Sequence, residues 1–351
     1  MTGQNARFCV PPAADLDSKT VLVTGGTGSF GRRFCATVLE RYSPQKVIVF
    51  SRDEMKQYEM RNDPVFRDHD GIMRYFIGDV RDVGRLEMAF RDVDYVFHAA
   101  ALKQVPTAEY NPFECVQTNI HGAENVVTAA IRSDVKLVVA LSTDKATNPI
   151  NLYGASKLAS DKIFIAAKNL VGAGSPLFAV VRYGNVLGSR GSVIPYFSKL
   201  IGEGIESLPI TDPRMSRFWI TIQEGVDFVL SCLPMVRGGE LFIPKIPSMK
   251  VIDIAQAMAP NLSTHIVGIR PGEKLHETMI TEEDARAALE LPDRYVIRSM
   301  LYGDQREYHA EEVAVAENFR YSSDTNPEQL DKDGIVQLLS RLGLGAAGDG
   351  H

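Results

Sequence analysis

The chain has 351 residues, 45% apolar and 23% charged, with a formal net charge of −6 at neutral pH. These proportions are those of a soluble globular protein and exclude wholesale disorder and collagen-like or low-complexity architectures. The acidic balance leaves no basic surface for neutralising many phosphates, which argues against nucleic-acid binding; a locally positive pocket for a phosphorylated small molecule remains open.

At about 150 residues per domain the length suggests two domains or one elaborated one. Residues 1–18 read as a flexible leader, with Pro11-Pro12 and no periodicity. Thr20–Thr24 (TVLVT) is a β-branched run that stops at Gly25, and 30–41 carries helical spacing. Further strand-like runs lie at 46–50, 73–77, 94–98, 136–141 and 177–182, most of them separated by helix-like stretches such as 84–90 and 119–132. Short apolar strands alternating with helices predict parallel strands covered on both faces. The fold class expected is therefore α/β, a Rossmann-type doubly wound parallel sheet with ligands outside the carboxyl ends of its strands.

After Tyr183 the alternation fades and Gly, Pro and Ser become frequent, before a helical stretch at 223–233 leads to a strand-like 240–243. This pattern predicts a dinucleotide domain over 19–185, rejoined by 219–245, and a smaller interleaved C-terminal substrate domain over 186–218 and 246–330. A C-terminal helix and tail follow at 331–351. No apolar run approaches the ~20 residues of a membrane span, and no signal peptide precedes the first strand, so the expected location is the cytoplasm. Cys9, Cys35, Cys115 and Cys232 form no CxxC pair, and no histidine cluster suggests a metal.

Gly25-Gly26-Thr27-Gly28-Ser29-Phe30-Gly31 spells G-x-x-G-x-x-G at a strand-to-helix junction. Gly25 permits the tight turn, Gly28 lets backbone approach a pyrophosphate at the helix N-terminus, and Gly31 allows close packing on the sheet. At the end of the second strand, where an NAD site carries an acidic residue, the chain has Ser51-Arg52, then Asp53 and Lys56. A hydroxyl and a guanidinium suit a 2′-phosphate, so NADP is preferred over NAD, although Asp53 is near enough to serve a ribose. Asp79, after the third strand, is placed against the adenine edge or, almost equally, in a solvated loop.

Tyr153 and Lys157 form Y-x-x-x-K, one face of a helix, where a lysine ammonium favours ionisation of a phenol that is otherwise a poor base at neutral pH. Leu141-Ser142-Thr143-Asp144-Lys145 closes the fifth strand at the crevice end, and Thr143 can hydrogen-bond a substrate hydroxyl beside Tyr153. His98 follows a strand into a tight loop and reads as structural.

The glycine motif, HAAALK at 98–103, the strand-end triplet and Y-x-x-x-K together resemble the extended short-chain dehydrogenase/reductase superfamily over about residues 19–323. More narrowly, STDKATNPINLYGASK (142–157), RYGNVLGSRGSVIP (182–195), TDPRMSRFWIT (211–221) and RPGEKLHE (270–277) are similar to the inverting UDP-N-acetylglucosamine 4,6-dehydratases. That family makes the first intermediate of pseudaminic acid and related bacterial surface sugars.

The resemblance implies that Tyr153, helped by Lys157 and Thr143, takes the proton of the sugar 4-hydroxyl while hydride passes from carbon 4 to NADP. The ketone acidifies the proton on carbon 5. Lys145 would remove it as an amine, which requires its pKa to be lowered, and Asp144 would protonate the departing 6-hydroxyl. Which of the two is acid and which base stays open. Hydride returns to carbon 6, and reprotonation of carbon 5 on the opposite face gives UDP-2-acetamido-2,6-dideoxy-β-L-arabino-hex-4-ulose. Lysine in the doublet points to the inverting class, because retaining dehydratases usually carry Asp-Glu and 4-epimerases need no such pair. A 4-epimerase, a retaining dehydratase and a non-catalytic NADP-binding protein are the alternatives.

The resemblance further assigns Thr27, Ser29, Phe30, Val80, Ala99, Ala100, Ala101 and Asn119 to the cofactor, with helix capping an equal account of Asn119. Lys103 would approach cofactor or sugar, or be an ordinary loop lysine. Asn185, Arg190, Ser192 and Val193 suit a diphosphate ligand, and Arg217, Arg270 and Glu273 would clamp the uridine and diphosphate end, although surface salt bridges would account for either arginine. The substrate implied is UDP-GlcNAc, bound by a homo-oligomer (hexamer or dimer) with no nucleic-acid or membrane partner.

Overall fold

The computed structural model describes residues 7–8, 14–171, 174–189, 192–299 and 311–344. Its central layer is a ten-stranded sheet. The strands in chain order are β1 (Thr20–Thr24), β2 (Lys46–Ser51), β3 (Met73–Ile77), β4 (Tyr95–His98), β5 (Leu137–Thr143), β6 (Leu177–Tyr183), β7 (Glu240–Pro244), β8 (Ala288–Glu290), β9 (Arg294–Ile297) and β10 (Val313–Ala314). Runs such as Val21, Leu22 and Val23, and Val138, Val139 and Ala140, have no polar alternation because both faces of the sheet are covered. The helix Ser29–Arg41 buries Phe30, Phe34, Cys35 and Val38 on one face, with the Phe34 ring 4.2 Å from that of Phe97 on β4.

Seven strands run parallel in the order β3-β2-β1-β4-β5-β6-β7. The order reverses between β1 and β4, so the loops leaving those two strands diverge and open a crevice at their carboxyl ends. The sheet then continues antiparallel through β9, β8 and β10. The sequence pattern places these last residues in the smaller unit, whereas the pairing puts them on the main sheet. An antiparallel partner needs only a short turn, so this return leaves no βαβ signature.

The smaller unit has its own core, which includes Ile194, Phe197, Trp219, Ile254, Met258, Leu338 and Leu339. Asn185–Val186, Ser216–Ile220 and Ser248–Lys250 form a three-stranded sheet. Ser207–Ile210 pairs with Ser263–Ile266, and the terminal helix Lys332–Arg341 seals this core with Ile335, Leu338 and Leu339. The leader departs from the sequence expectation where it is described. Phe8 is buried with its ring 4.9 Å from Phe228, Arg7 pairs with Glu328, and Leu16 is fully buried. One aromatic and one aliphatic anchor suffice to dock a segment that has no periodicity of its own. Among the described residues no helix is long and apolar enough to cross a membrane.

Candidate active site

The glycine turn lies at the reversal point. Gly25 has φ of +66°, and a Cβ there would stand 2.9 Å from the Ala100 backbone nitrogen, so only glycine lets β1 turn against the loop after β4. That loop is tied down from both sides. Ala99 N donates to Thr24 O at 3.2 Å and Ala100 N to Thr24 Oγ1 at 3.3 Å. Asn119 Nδ2 donates to Leu102 O at 2.9 Å, and its Oδ1 accepts from Leu102 N at 2.8 Å. Asn119 thus holds backbone and caps no helix. Thr27 is half-buried, Gly28 and Ser29 are exposed at the start of the helix, and Phe30 and Gly31 are buried beneath them. An open backbone turn at a helix N-terminus fits a dinucleotide pyrophosphate.

At the end of β2, Ser51 is buried and accepts from Gln57 Nε2 at 3.1 Å, while Arg52 is half exposed and lies 3.5 Å from Asp79. Asp79 is also held by Arg81 at 2.7 Å; burial pushes its carboxyl up, but these arginine contacts outweigh it and leave it below the usual range. Asp53 caps the helix Glu54–Asn62 through Lys56 N at 3.0 Å and pairs with Lys56 Nζ at 2.7 Å. Its carboxylate is therefore committed locally. Val80 is buried and its carbonyl accepts from Asn125.

The end of β5 carries a buried charged group. Thr143 Oγ1 donates to Asp144 Oδ1 at 2.9 Å and lies beside the Tyr153 phenol. Lys145 Nζ donates to the same Asp144 oxygen at 3.0 Å and to Asn185 Oδ1 at 3.0 Å. Asp144 is fully buried, and its Oδ2 has no hydrogen-bond partner. The helix Leu152–Ala166 presses Tyr153 into this group because position 154 is glycine; a Cβ there would meet the Lys145 carbonyl oxygen at 2.2 Å. Lys157 is buried on the same helix, one turn before Asp161, which accepts from Ser142 Oγ at 2.7 Å and pairs with Arg182 at 3.3 Å.

Two electrostatic expectations are corrected. Burial pulls Lys145 down, but Asp144 and Glu277, 3.5 Å away, overcompensate and hold it well above the ordinary lysine value. Lys145 therefore rests as an ammonium. Tyr153 is pushed up to about 12 by burial, against the pull of Lys145 and Thr143. The cation acting most strongly on the phenol is Lys145, and Lys157 is itself pulled down by burial. Glu277 is the residue the sequence reading missed. It ends the quoted motif RPGEKLHE, and only the fold reveals that the strand after it packs against the turn 144–146 that follows β5.

Arg217 is buried, with its guanidinium donating to the carbonyls of Ser216, Leu275 and Lys274 at 2.7, 3.1 and 2.8 Å, so these donors are turned into the protein. Arg270 is mostly exposed, 3.9 Å from Glu273. Lys103 is exposed on the loop after β4. Ser192 precedes the helix Val193–Gly202, its hydroxyl buried without a partner, and Arg190 lies outside the described residues. His98 is buried, its Nδ1 2.9 Å from Thr24 Oγ1, and burial lowers its pKa to about 3. Among the described residues no group of histidines, cysteines and carboxylates could hold a metal.

Comparison with known proteins adds to this geometry. Residues 21–299 match the family model described as "Polysaccharide biosynthesis protein". A Campylobacter jejuni protein named UDP-N-acetylglucosamine 4,6-dehydratase (inverting) is 54% identical over 93% of this chain and 98% of its own. A Rickettsia akari protein named UDP-glucose 4-epimerase is 39% identical over 92% of this chain and 96% of its own. The X-ray structure of Pen from Bacillus thuringiensis superposes with a TM-score of 0.85 at 38% identity, covering 94% of this chain and 99% of that one.

Proposed function

The chain belongs to the polysaccharide biosynthesis protein family, among the inverting UDP-N-acetylglucosamine 4,6-dehydratases, and from that premise we propose that it removes water from UDP-GlcNAc with inversion at carbon 5. The observation that carries the reading is the buried Asp144–Lys145 ion pair at the carboxyl end of β5, with Thr143 bonded to Asp144 and the Tyr153 phenol beside the pair. A 4-epimerase needs a tyrosine base but has no use for a second acid/base pair.

A dinucleotide held at the glycine turn would supply the hydride acceptor for carbon 4 and the hydride donor for carbon 6. Tyr153 takes the proton of the 4-hydroxyl, for which its phenol must ionise; the positive charge of Lys145 favours that, and Lys157 adds a second buried cation on the same helix. The resting ammonium of Lys145 cannot accept the carbon-5 proton. Transfer of one proton along the 3.0 Å hydrogen bond to Asp144 yields an amine and a carboxylic acid together. The amine then takes the carbon-5 proton, the acid gives its own to the departing 6-hydroxyl, and the ion pair is restored as water leaves. The unpartnered Oδ2 of Asp144 suits this step, because an unsatisfied buried polar atom costs roughly 1–3 kcal/mol and a substrate hydroxyl relieves it.

The cofactor is read as NADP. Ser51 and Arg52 stand at the end of β2, Lys56 lies one turn away, and Asp53 is engaged as a helix cap. Gly25, Thr27, Gly28, Ser29, Phe30 and Gly31 would hold the pyrophosphate, with Asp79, Val80, Ala99, Ala100, Ala101 and Asn119 shaping the adenine and nicotinamide side. Asn185, Ser192, Val193, Arg270 and Glu273 would meet the sugar nucleotide, joined by Lys103. Arg217 supports that surface from inside through the carbonyls of Lys274 and Leu275. The product would enter the synthesis of pseudaminic acid or a related surface sugar, made by a cytoplasmic homo-oligomer. Incubation with UDP-GlcNAc in D₂O, followed by NMR, tests the reading. A 4-keto, 6-deoxy product with deuterium at carbon 5 and the L-configuration is expected. An intact 6-hydroxyl overturns it.

A further inference from the structure

We propose that Glu277 is a positioning residue of the water-loss step, holding Lys145 as an ammonium beside Asp144 and setting the pH at which Lys145 releases its proton. The inference rests on the activity read above and adds a residue from a different segment of the chain.

Glu277 is buried and immediately precedes the strand Thr278–Ile280. Its backbone is fixed on both sides, with N donating to Ser323 Oγ at 3.0 Å and O accepting from Ser323 N at 2.8 Å. That anchoring leaves the carboxylate little freedom. Oε1 stands 3.5 Å from Lys145 Nζ and 3.9 Å from Arg217 Nε, and Oε2 stands 3.5 Å from Lys274 Nζ. Three cations thus surround one carboxylate. Arg217 and Lys274 already donate to carbonyls, Lys274 to Thr147 O at 2.6 Å, and Lys145 donates to Asp144 and Asn185. Oε2 nevertheless has no hydrogen-bond partner, so its position is set by charge.

The groups facing Lys145 are Asp144 from the end of β5, Tyr153 from its helix, Asn185 after β6, Arg217 from the small sheet and Glu277, with Lys274 behind Glu277. Without Glu277, Asp144 would be the one carboxylate left in contact with Lys145, and Lys145 would shed its proton more readily.

The test compares Glu277→Gln, Glu277→Asp and the wild-type holoenzyme, measuring the pH profile of kcat for water loss, KM for UDP-GlcNAc, and deuterium entry at carbon 5. In Glu277→Gln the pH limb governed by Lys145 moves at least about one unit lower, with KM within about threefold. Glu277→Asp keeps the charge and restores the limb. Superposable profiles for wild type and Glu277→Gln overturn the proposal, as do equal displacements in both variants. Should Glu277→Gln not fold, NMR of Asp144→Asn labelled at lysine Cε decides the question, with Glu277 then the carboxylate left beside Lys145 and the Lys145 signal assigned by its loss in Lys145→Met. A titration midpoint above the ordinary lysine value of about 10.4 supports the proposal, and one at or below it overturns it. A wild type that leaves UDP-GlcNAc intact refutes the activity, while this titration still judges Glu277.

Discussion

The carboxyl ends of β2 and β5 face the same crevice but are built on opposite principles. At β2, Arg52 and Lys56 are half exposed, and every partner of Ser51, Arg52, Asp53 and Lys56 lies within about thirty residues of chain. At β5, Asp144 is fully buried and Lys145 is joined to Asn185 and Glu277, the latter more than a hundred residues away. Exposed ion pairs contribute little and are screened, whereas buried ones are strong and costly to break. One end can select a ligand by modest increments. The other can hold a proton in a state it would not keep in water.

The sharpest way to break that contrast is to remove its charged centre. Lys145→Ala and Tyr153→Phe are each expected to lower turnover by at least about a thousandfold, measured as product formed from UDP-GlcNAc. They differ in stability. Tyr153→Phe should leave the melting temperature near that of wild type, whereas Lys145→Ala strands the buried Asp144 carboxylate and should cost about 3–5 kcal/mol by denaturant unfolding. Full turnover in either variant would reduce the β5 end to a structural ion cluster.

Between these two ends, at the reversal of strand order, His98 probes burial by itself. Its folded pKa of about 3 lies below the ordinary value, so the unfolded chain binds a proton that the folded one refuses. Stability contributed by the neutral ring is full above pH ~6.5 and falls as the pH drops toward 3. His98→Gln should therefore flatten the loss of stability between pH 6 and pH 4 relative to wild type, by about 2–3 kcal/mol in urea melts. An unchanged slope would mean that His98 is accessible to protons in the native state.

This division also decides what the sequence could disclose. The glycine turn, the parallel strands and the doublet after β5 are local patterns, so they are readable from neighbouring residues. Tyr153 and Lys157 are one helical turn apart, and their helix is legible from that spacing alone. Glu277 is not, because its partners are gathered by a strand whose pairing, with Tyr321–Ser322, is short and carries no hydrophobic alternation. The same holds for β8 and β9, short antiparallel additions beyond the βαβ pattern, and for Phe8, a single anchor in an aperiodic segment. The charge state of Lys145 reverses the expectation because Asp144, its neighbour in the chain, and Glu277, which the sequence does not place there, together outweigh burial.

At the β2 end the expected effects are smaller and separable. Arg52→Ala should raise the Kd for NADP about tenfold, roughly 1.4 kcal/mol, and leave NAD binding nearly unchanged, by calorimetric titration of the stripped protein. Equal losses for both dinucleotides would show that Arg52 acts through Asp79, 3.5 Å away, rather than on a 2′-phosphate.

The smallest effect comes from Asp53, and it isolates the local character of this end. If its carboxylate serves the helix Glu54–Asn62 as the geometry indicates, Asp53→Ala removes an N-cap and should cost about 1 kcal/mol of stability. Because Lys56 loses its partner at 2.7 Å and becomes available to an anion, NADP binding should hold or tighten slightly. Asp53→Asn keeps the capping oxygen and should recover most of the stability without changing that trend. A Kd for NAD that rises in both variants, with NADP untouched, would instead place the carboxylate on the ribose, and the β2 end would then be an NAD site whose arginine serves another purpose.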